Sequence, residues 1–490
     1  MVDILTEIVN KRIDDIKNMG ISFGIDIPEK RLRPVHNFIT EKGVILEVKR
    51  ASPSKGDIAP ELDAAATALS YAKAGAAAIS CLTEKNYFKG NLYDLINICK
   101  AVDIAVLRKD FLIYPEEIEI SYRAGADAVL LIARILDADT MLQMAEAAAA
   151  YGMTSLVEVR SDEDISKLAL LVQDFNSKKI DLKLIVCGVN SRDLANFKID
   201  LLKPCELLEK INKIFGKDAR VIFESGIRTP QAAAFAGSLG FTGMLLGEAA
   251  AKNPDIRKEL VESFVKSPVT KNSEFWSAFK TSTNLNDQSL ANHTQRPLIK
   301  ICGLTRSEDV LYADSLGADF TGFIFAEGFV RNVCGEKFEK MIPVLKQIKA
   351  KKIAVITDAK SKEAKLAVEY VKKGFLDCIQ LHGIKYSEVS SEILMLPHYF
   401  AVTDKCDDFL KETEELFLMG EPRFLQDSKK RTYDLNKKLW LAGGVTAENV
   451  RELTDKYQPE LIDISSGIED EALPGIKNHN KIKKLFEVLK

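Results

Sequence analysis

The chain has 490 residues, 46% of them hydrophobic and 28% charged, with a formal net charge of −3 at pH 7. This is too much chain for one ordinary core; an α/β barrel takes roughly 200–250 residues, so two barrels fit, and the composition excludes disordered and fibrous classes. The near-neutral balance, with no Lys/Arg cluster interleaved with aromatics, argues against a nucleic-acid partner.

The first sixteen residues, MVDILTEIVNKRIDDI, set Asp3, Glu7, Lys11 and Arg12 among apolar residues at helical spacing. That pattern predicts an amphipathic helix rather than a signal peptide. No apolar run reaches the ~18 residues that a membrane span needs. The eight cysteines (81, 99, 187, 205, 302, 334, 378 and 406) include no Cys-x-x-Cys pair, and the five histidines have no metal-ligand spacing. We therefore expect a cytoplasmic protein with reduced thiols, no metal and no membrane contact. A monomer is expected, since a second domain already covers surface.

From residue 44, short β-rich runs alternate with helical stretches: VILEV, AAISCLT, IAVLRKDF, AVLLIA, SLVEV, LIVCGVN, RVIFESG and GMLLGE. The alternation implies repeated βαβ units and a parallel sheet. Eight such strands in one stretch predict a closed (β/α)8 TIM barrel over residues 1–260, with the extra helix ahead of it. Residues 261–296 turn to Ser, Thr, Asn, Lys and Pro without clear period and read as a junction. The rhythm then restarts with LIKICG, DFTGFIF, KIAVIT, CIQLHG, HYFAVTD, RFLQDS, LWLAGG and LIDISSG, a second barrel over 297–490.

Chemistry in such barrels sits at the C-terminal strand ends. In the first, Glu47 and Lys49 flank Val48 and so share one side of the first strand, pointing into the mouth. Lys109 follows IAVLR, Glu158 closes SLVEV, Asn190 closes CGVN and Glu224 closes VIFE. Any one of these charges could belong to a structural ion pair. Five charges and an amide converging on one mouth favour catalysis, because isolated buried charges lose several kcal/mol of solvation. Ser225 and Gly226 after the seventh strand, and Gly247 after the eighth, are candidates for a phosphate pocket made of backbone N–H groups.

The motifs ILEVKRASPSKG, LRKDF, LVEV, GVNSRDL, ESGI and LLGE, in this order, resemble indole-3-glycerol-phosphate synthase across residues 1–260. The resemblance implies cofactor-free ring closure of carboxyphenylamino-deoxyribulose phosphate, with loss of carbon dioxide and water. It implies Lys109 as general acid, Glu158 as acid/base partner in dehydration, and Lys49 as the cation near the departing carboxylate. Glu47, Asn190, Arg192 and Glu224 would orient hydroxyls and lysines, while Ser52, Gly226 and Gly247 would hold the phosphate.

In the second barrel Cys302 ends a strand in IKICG. A buried cysteine is often only packing, but at a strand end a thiolate of lowered pKa is a competent base or nucleophile. KICG, GADFTGFIF with Arg331, QLHG, LQDS, LAGGVTAENV and DISSGIE followed by LPGIKN together resemble phosphoribosylanthranilate isomerase over residues 297–490. The resemblance implies an Amadori rearrangement with Asp427 as acid and Cys302 as base. Arg331 would grip the anthranilate carboxylate, and Gly444, Ser466 and Gly467 would donate to the phosphate. His382 matches a family position, and no chemical role is assigned to it.

Two loops depart from that family. Its acidic residue is usually followed by a glycine-rich loop ending in Phe-Asp-Trp, where this chain reads DSKKRTYDL, and its Ser-x-Arg-Tyr has become GFVRNV. Lys429, Lys430 and Arg431 either attract a doubly anionic substrate or form a solvated loop. The departures keep a second reading open, an active synthase carrying a degenerate, non-catalytic barrel. A third, another phosphosugar barrel enzyme such as a histidine-pathway isomerase, does not account for Lys49, Lys109 and Glu158 together.

Overall fold

A computed structural model describes residues 4–53, 55–192, 198–216, 219–276 and 296–489. Asp3, Ser54, parts of the GVNSRDL motif and residues 277–295 of the expected junction lie outside the described residues. The chain divides into two compact units, Met1–Val269 and Thr270–Lys490.

In the first unit, β1 (Gly43–Val48), β2 (Ala78–Leu82), β3 (Ala105–Lys109), β4 (Ala128–Ile132), β5 (Thr154–Val159), β6 (Ile185–Asn190), β7 (Val221–Glu224) and β8 (Gly243–Leu246) form a closed parallel barrel. The barrel closes because β8 pairs with β1, Gly43 to Gly243 through Leu46 to Leu246. Strands such as AISCL are buried along their whole length, as expected of a parallel sheet covered by helices. The outer helices start where short polar side chains accept from the first turn: Asp63, Asn91, Asp137, Ser161 and Thr229. Ile45, Leu107, Leu130, Leu156, Val186, Ile222 and Leu245 share one core cluster with Phe38 and Ile39. The carbonyls of Phe38 and Ile39 accept from Arg220, just ahead of β7, which ties this segment to the N-terminal end of the barrel.

The N-terminal helix, Ile4–Met19, buries Leu5 and Ile8 as its amphipathic pattern predicts, but it also buries Arg12 and Asp15. Arg12 donates to Asp110 at 2.6 Å and also to Glu117. Asp15 accepts from Asn86 at 2.7 Å. The helix is thereby tied to the segments that follow β2 and β3.

The second unit closes a barrel from β9 (Leu298–Cys302), β10 (Phe320–Ile324), β11 (Lys351–Ile356), β12 (Cys378–His382), β13 (His398–Thr403), β14 (Phe424–Asp427), β15 (Trp440–Ala442) and β16 (Leu461–Ile464). Ile299 and Ile301 pack outward, while Lys300 and Cys302 alternate to the other side of β9.

The expected edges of the junction differ from what is seen. The helix Arg257–Lys266 runs past residue 260 and buries Leu260, Val261 and Phe264. Its amphipathic face is part of the first unit, and the Pro and Ser that follow end it. Residues 271–276 are helical and fall in the second unit. Trp276 is buried there with its ring 6.2 Å from Trp440, the first residue of β15. Burying two aromatics, Phe275 and Trp276, outweighs the polar composition that reads as a linker.

Candidate active site

At the mouth of the first barrel, Glu47, next to last in β1, reaches Lys49 at 2.6 Å and Lys109 at 3.3 Å. Lys109, the last residue of β3, also donates to Glu224 at 3.0 Å. The pairings place these groups at the C-terminal ends of their strands, Glu47 opposite Ser80, Lys109 opposite Leu82, and Asn190 opposite Glu224. Burial would raise Glu47, but Lys49 and Lys109 hold it down at about 2. Burial would lower Lys109, but Glu224, Glu47 and Glu158 hold it above the ordinary lysine range. The ammonium is therefore a permanent cation at neutral pH. Burial lifts Glu224 to about 7, with Lys109 opposing and Glu158 reinforcing the rise. Its Oε1 is buried without a hydrogen-bond partner among the described residues.

Glu158, buried at the end of β5, lies 3.6 Å from Arg160, and Arg160 donates to the Arg192 carbonyl. The Asn190 side chain accepts from the Arg192 backbone at 3.0 Å. Arg192 is pulled down by burial, with Glu248 and Glu47 acting against that.

Ser225 has φ +70° and Gly226 φ +87°, so β7 leaves the barrel through two left-handed residues. A Cβ on Gly226 would meet Ile199, Leu201 and Ser191 at 2.8–2.9 Å, which leaves glycine as the residue that fits. Gly247 follows β8, and a Cβ there would run into Lys49 Nζ at 2.6 Å. Gly247 thus sits beside the charged cluster, against Glu47 and Lys49. Ser52 lies in a two-residue hairpin, Ala51–Ser52 against Gly56–Asp57, directly after β1.

Sequence reading missed the support beneath this cluster. Arg108, fully buried, lies 3.1 Å from Asp110, and Asp110 accepts from Arg12 and from Thr83 at 2.5 Å. The residues on either side of Lys109 are thus locked. Phe88 and Phe111 were also missed, with rings 6.0 Å apart beyond β2 and β3. The only sequence signal for the latter was its place in LRKDF.

In the second barrel, Cys302 ends β9 and Asp427 ends β14. Between them runs a buried chain. Lys300 Nζ lies 2.7 Å from both Asp463 Oδ2 and Gln380 Oε1, and Tyr399 donates to the same Gln380 oxygen at 2.9 Å. Gln380 Nε2 is 3.1 Å from His382 Nδ1. His382 Nε2 is 3.8 Å from Asp427 Oδ2. None of Lys300, Gln380, Tyr399 and Asp463 was picked out from sequence. The period-two argument that found Glu47 and Lys49 would have found Lys300, two residues before Cys302.

The thiol of Cys302 does not have the lowered pKa expected of it. Burial raises it, and Lys300 and Lys477 only partly offset that. Burial likewise raises Asp427 against the pull of His382, which suits a proton donor.

Arg331 is paired through its guanidinium with Glu469, Nε to Oε1 at 2.9 Å. Gly444, with φ +60°, accepts through its carbonyl from Asn449, and Ser466 and Gly467 form a short turn after β16, Ser466–Ile468. The unusual loop after Asp427 is held by other means than glycine. Arg431, at φ +62°, donates to the Gly443 carbonyl at 2.6 Å and to that of Gly444 at 3.1 Å. The backbone amides of Lys429 and Lys430 donate to Asp404. Arg431 is therefore a loop clasp, while the side chains of Lys429 and Lys430 are exposed.

Two closed parallel barrels, each with titratable side chains at the C-terminal strand ends, define a tandem of (β/α)8 barrel enzymes. The family model for indole-3-glycerol phosphate synthase matches residues 24–262, and that for N-(5'-phosphoribosyl)anthranilate isomerase matches residues 299–488. The indole-3-glycerol phosphate synthase of Desulforamulus reducens is 35% identical over 54% of this chain and 97% of its own length. A multifunctional tryptophan biosynthesis protein of Schizosaccharomyces pombe is 30% identical over 92% of this chain, which spans 60% of that protein. The phosphoribosyl anthranilate isomerase structure from Thermotoga maritima is 28% identical, covering 39% of this chain and 98% of its own, with a TM-score of 0.34. The chain belongs to the indole-3-glycerol phosphate synthase family and carries the phosphoribosylanthranilate isomerase domain behind it, both enzymes of tryptophan biosynthesis.

Proposed function

We propose that the two barrels catalyse consecutive steps, with the C-terminal barrel supplying the substrate of the N-terminal one. In the second barrel, Asp427 protonates the ring oxygen of phosphoribosylanthranilate and opens the furanose to an imine. Cys302, as thiolate, removes the C2′ proton, and the enol that results becomes the ketone of carboxyphenylamino-deoxyribulose phosphate. Two groups in separate environments suit a reaction needing one acid and one base. Arg331 binds the anthranilate carboxylate, and Gly444, Ser466 and Gly467 face the phosphate.

In the first barrel, the Lys109 ammonium stabilises the charge that develops on the ketone oxygen as the aromatic carbon attacks, and gives it a proton. The carboxylate leaves as carbon dioxide beside Lys49. Glu158 takes the proton from C1′ and passes it to the new hydroxyl, which departs as water as the indole ring forms. Glu47 and Glu224 orient the lysines, and Asn190 and Arg192 the substrate hydroxyls. Ser52, Ser225, Gly226 and Gly247 hold the phosphate, and Phe88 and Phe111 offer apolar surface for the anthranilate ring. The observation that carries the synthase reading is the single ammonium of Lys109 shared between Glu224 and Glu47 inside a barrel of this family. For the isomerase it is the placement of Cys302 and Asp427 at two strand ends of one mouth. The reading places the protein in the cytosol, acting on phosphorylated small molecules.

The deciding measurement is consumption of phosphoribosylanthranilate, followed by anthranilate fluorescence, beside a Cys302→Ala control. Conversion through to indole-3-glycerol phosphate by the wild type alone supports both assignments. Conversion only of the deoxyribulose intermediate, supplied directly, would refute the isomerase.

A further inference from the structure

Arg331 does not stand alone at the second barrel's mouth. Its Nε lies 2.9 Å from Glu469 Oε1 and its Nη2 2.5 Å from Glu469 Oε2. A guanidinium has two edges that bind a carboxylate through parallel bonds, Nε with Nη2 and Nη1 with Nη2. Glu469 takes the first edge. On the second, Nη1 has no hydrogen-bond partner among the described residues.

Glu469 is itself fixed. Lys477 Nζ donates to its Oε1 at 2.6 Å and to the Ser465 carbonyl at 3.0 Å. An isolated antiparallel bridge joins the two residues' backbones. Glu469 and Lys477 are buried, whereas Arg331 is partly exposed. Burial would raise Glu469, but Arg331 and Lys477 keep it down at about 2, so it stays ionised. The arginine lies against the turn that follows Cys302, where a Cβ on Gly303 would meet its Cδ at 2.6 Å. Two cations and one anion leave this group one positive charge in excess, which matches one incoming carboxylate.

We propose that Glu469 is a positioning residue for substrate recognition, holding the Arg331 guanidinium so that its Nη1/Nη2 edge meets the ring carboxylate of phosphoribosylanthranilate, with Lys477 anchoring Glu469 from behind. This rests on the reading that Arg331 binds that carboxylate. A free arginine side chain would have to be immobilised on binding, and an arginine already fixed by Glu469 avoids that cost. Glutamine at 469 keeps the shape but offers one acceptor oxygen and no charge, so the guanidinium loses its parallel pair.

The test uses the full chain and two ligands: the reduced, unreactive form of the isomerase product, and the same compound lacking the ring carboxylate. Glu469→Gln is expected to weaken the carboxylated ligand about five- to tenfold, the size of one immobilised side chain, and to leave the other ligand unchanged. KM for phosphoribosylanthranilate should rise by a similar factor with kcat within about twofold. Arg331→Ala tests the underlying reading, since it too must weaken the carboxylated ligand selectively, and the double variant must be no worse than Arg331→Ala. If Arg331→Ala discriminates between the ligands and Glu469→Gln does not, the role of Glu469 is refuted while the arginine's stands. If Arg331→Ala fails to discriminate, both fall. Equal weakening of both ligands by Glu469→Gln would mean general damage and would also overturn the proposal.

Discussion

Lys109 Nζ lies 3.0 Å from Glu224 Oε2, and the two partners respond to burial in opposite ways. The lysine is held above its ordinary range by the carboxylates around it, while burial lifts the glutamate to about 7. Near neutral pH the group that titrates is therefore the carboxyl, not the ammonium. Ionised Glu224 anchors the lysine; protonated, it releases it.

That arrangement predicts a limb in the pH profile of the synthase. Because kcat/KM reports the free enzyme, it should rise as pH increases through about 7, where Glu224 ionises. Glu224→Gln should lower kcat/KM and abolish this limb, since the amide does not titrate. Persistence of the limb in the variant would assign it to another group. The sign for stability is opposite to that for activity: a carboxyl with a raised folded pKa stabilises fully below its unfolded value and loses that contribution as pH rises through about 7.

The Lys109 cation itself is predicted to act in the transition state rather than in binding. Lys109→Ala should reduce kcat by about 10²–10⁴, the range for a positioned acid. Binding of the deoxyribulose substrate, measured by fluorescence quenching under single-turnover conditions, should change little. A variant that retains turnover would remove Lys109 from the chemistry.

Both barrels were legible because a parallel sheet buried on both faces must be written as short, nearly unbroken apolar runs, and charges such as Glu47, Glu158 and Glu224 interrupt those runs only at their C-terminal ends. The ion pairs beneath them were not legible. Arg12 meets Asp110 across 98 residues, and helical spacing gives it the appearance of a solvated face. Lys300 was missed for a different reason: a lysine inside LIKIC reads as an edge charge until Asp463, on the neighbouring strand β16, and Gln380, on β12, both far along the chain, arrive to satisfy it. The thiol of Cys302 was misjudged because burial, which sequence does not weigh, outweighs two neighbouring lysines.

The Arg12 network predicts a local stability effect. Arg12→Met leaves Asp110 and Glu117 buried with one cation fewer, and removing one partner of a buried pair costs about 3–5 kcal/mol. Burial would raise Asp110, but Arg12 and Arg108 hold it below its ordinary range. Its contribution is thus present above the unfolded carboxylate pKa and is lost as pH falls below that value. At pH 7, well above the unfolded carboxylate pKa and where both activities can be read, the variant should lose synthase activity at lower urea than the wild type. Isomerase activity on the same chain is the internal reference and should keep its midpoint. Equal loss of both activities would show that Arg12 does not act within the first barrel alone.

In the second barrel the raised thiol sets the direction of the last prediction. Cys302 must lose its proton to serve as base, and burial opposes this while Lys300 and Lys477 favour it. Isomerase kcat/KM should therefore climb with pH on the alkaline side, beyond the point where an ordinary thiol has titrated. Alkylation of Cys302 by iodoacetamide, followed by mass spectrometry of the modified peptide, should climb over the same range. Lys477→Met removes one of the two favourable cations and should move both curves to higher pH together, whereas Asp427→Asn should abolish turnover and leave the alkylation curve in place. Turnover of the deoxyribulose intermediate by the first barrel should survive both changes. If alkylation shifts and turnover does not, Cys302 is a buried thiol beside the site and another group removes the C2′ proton.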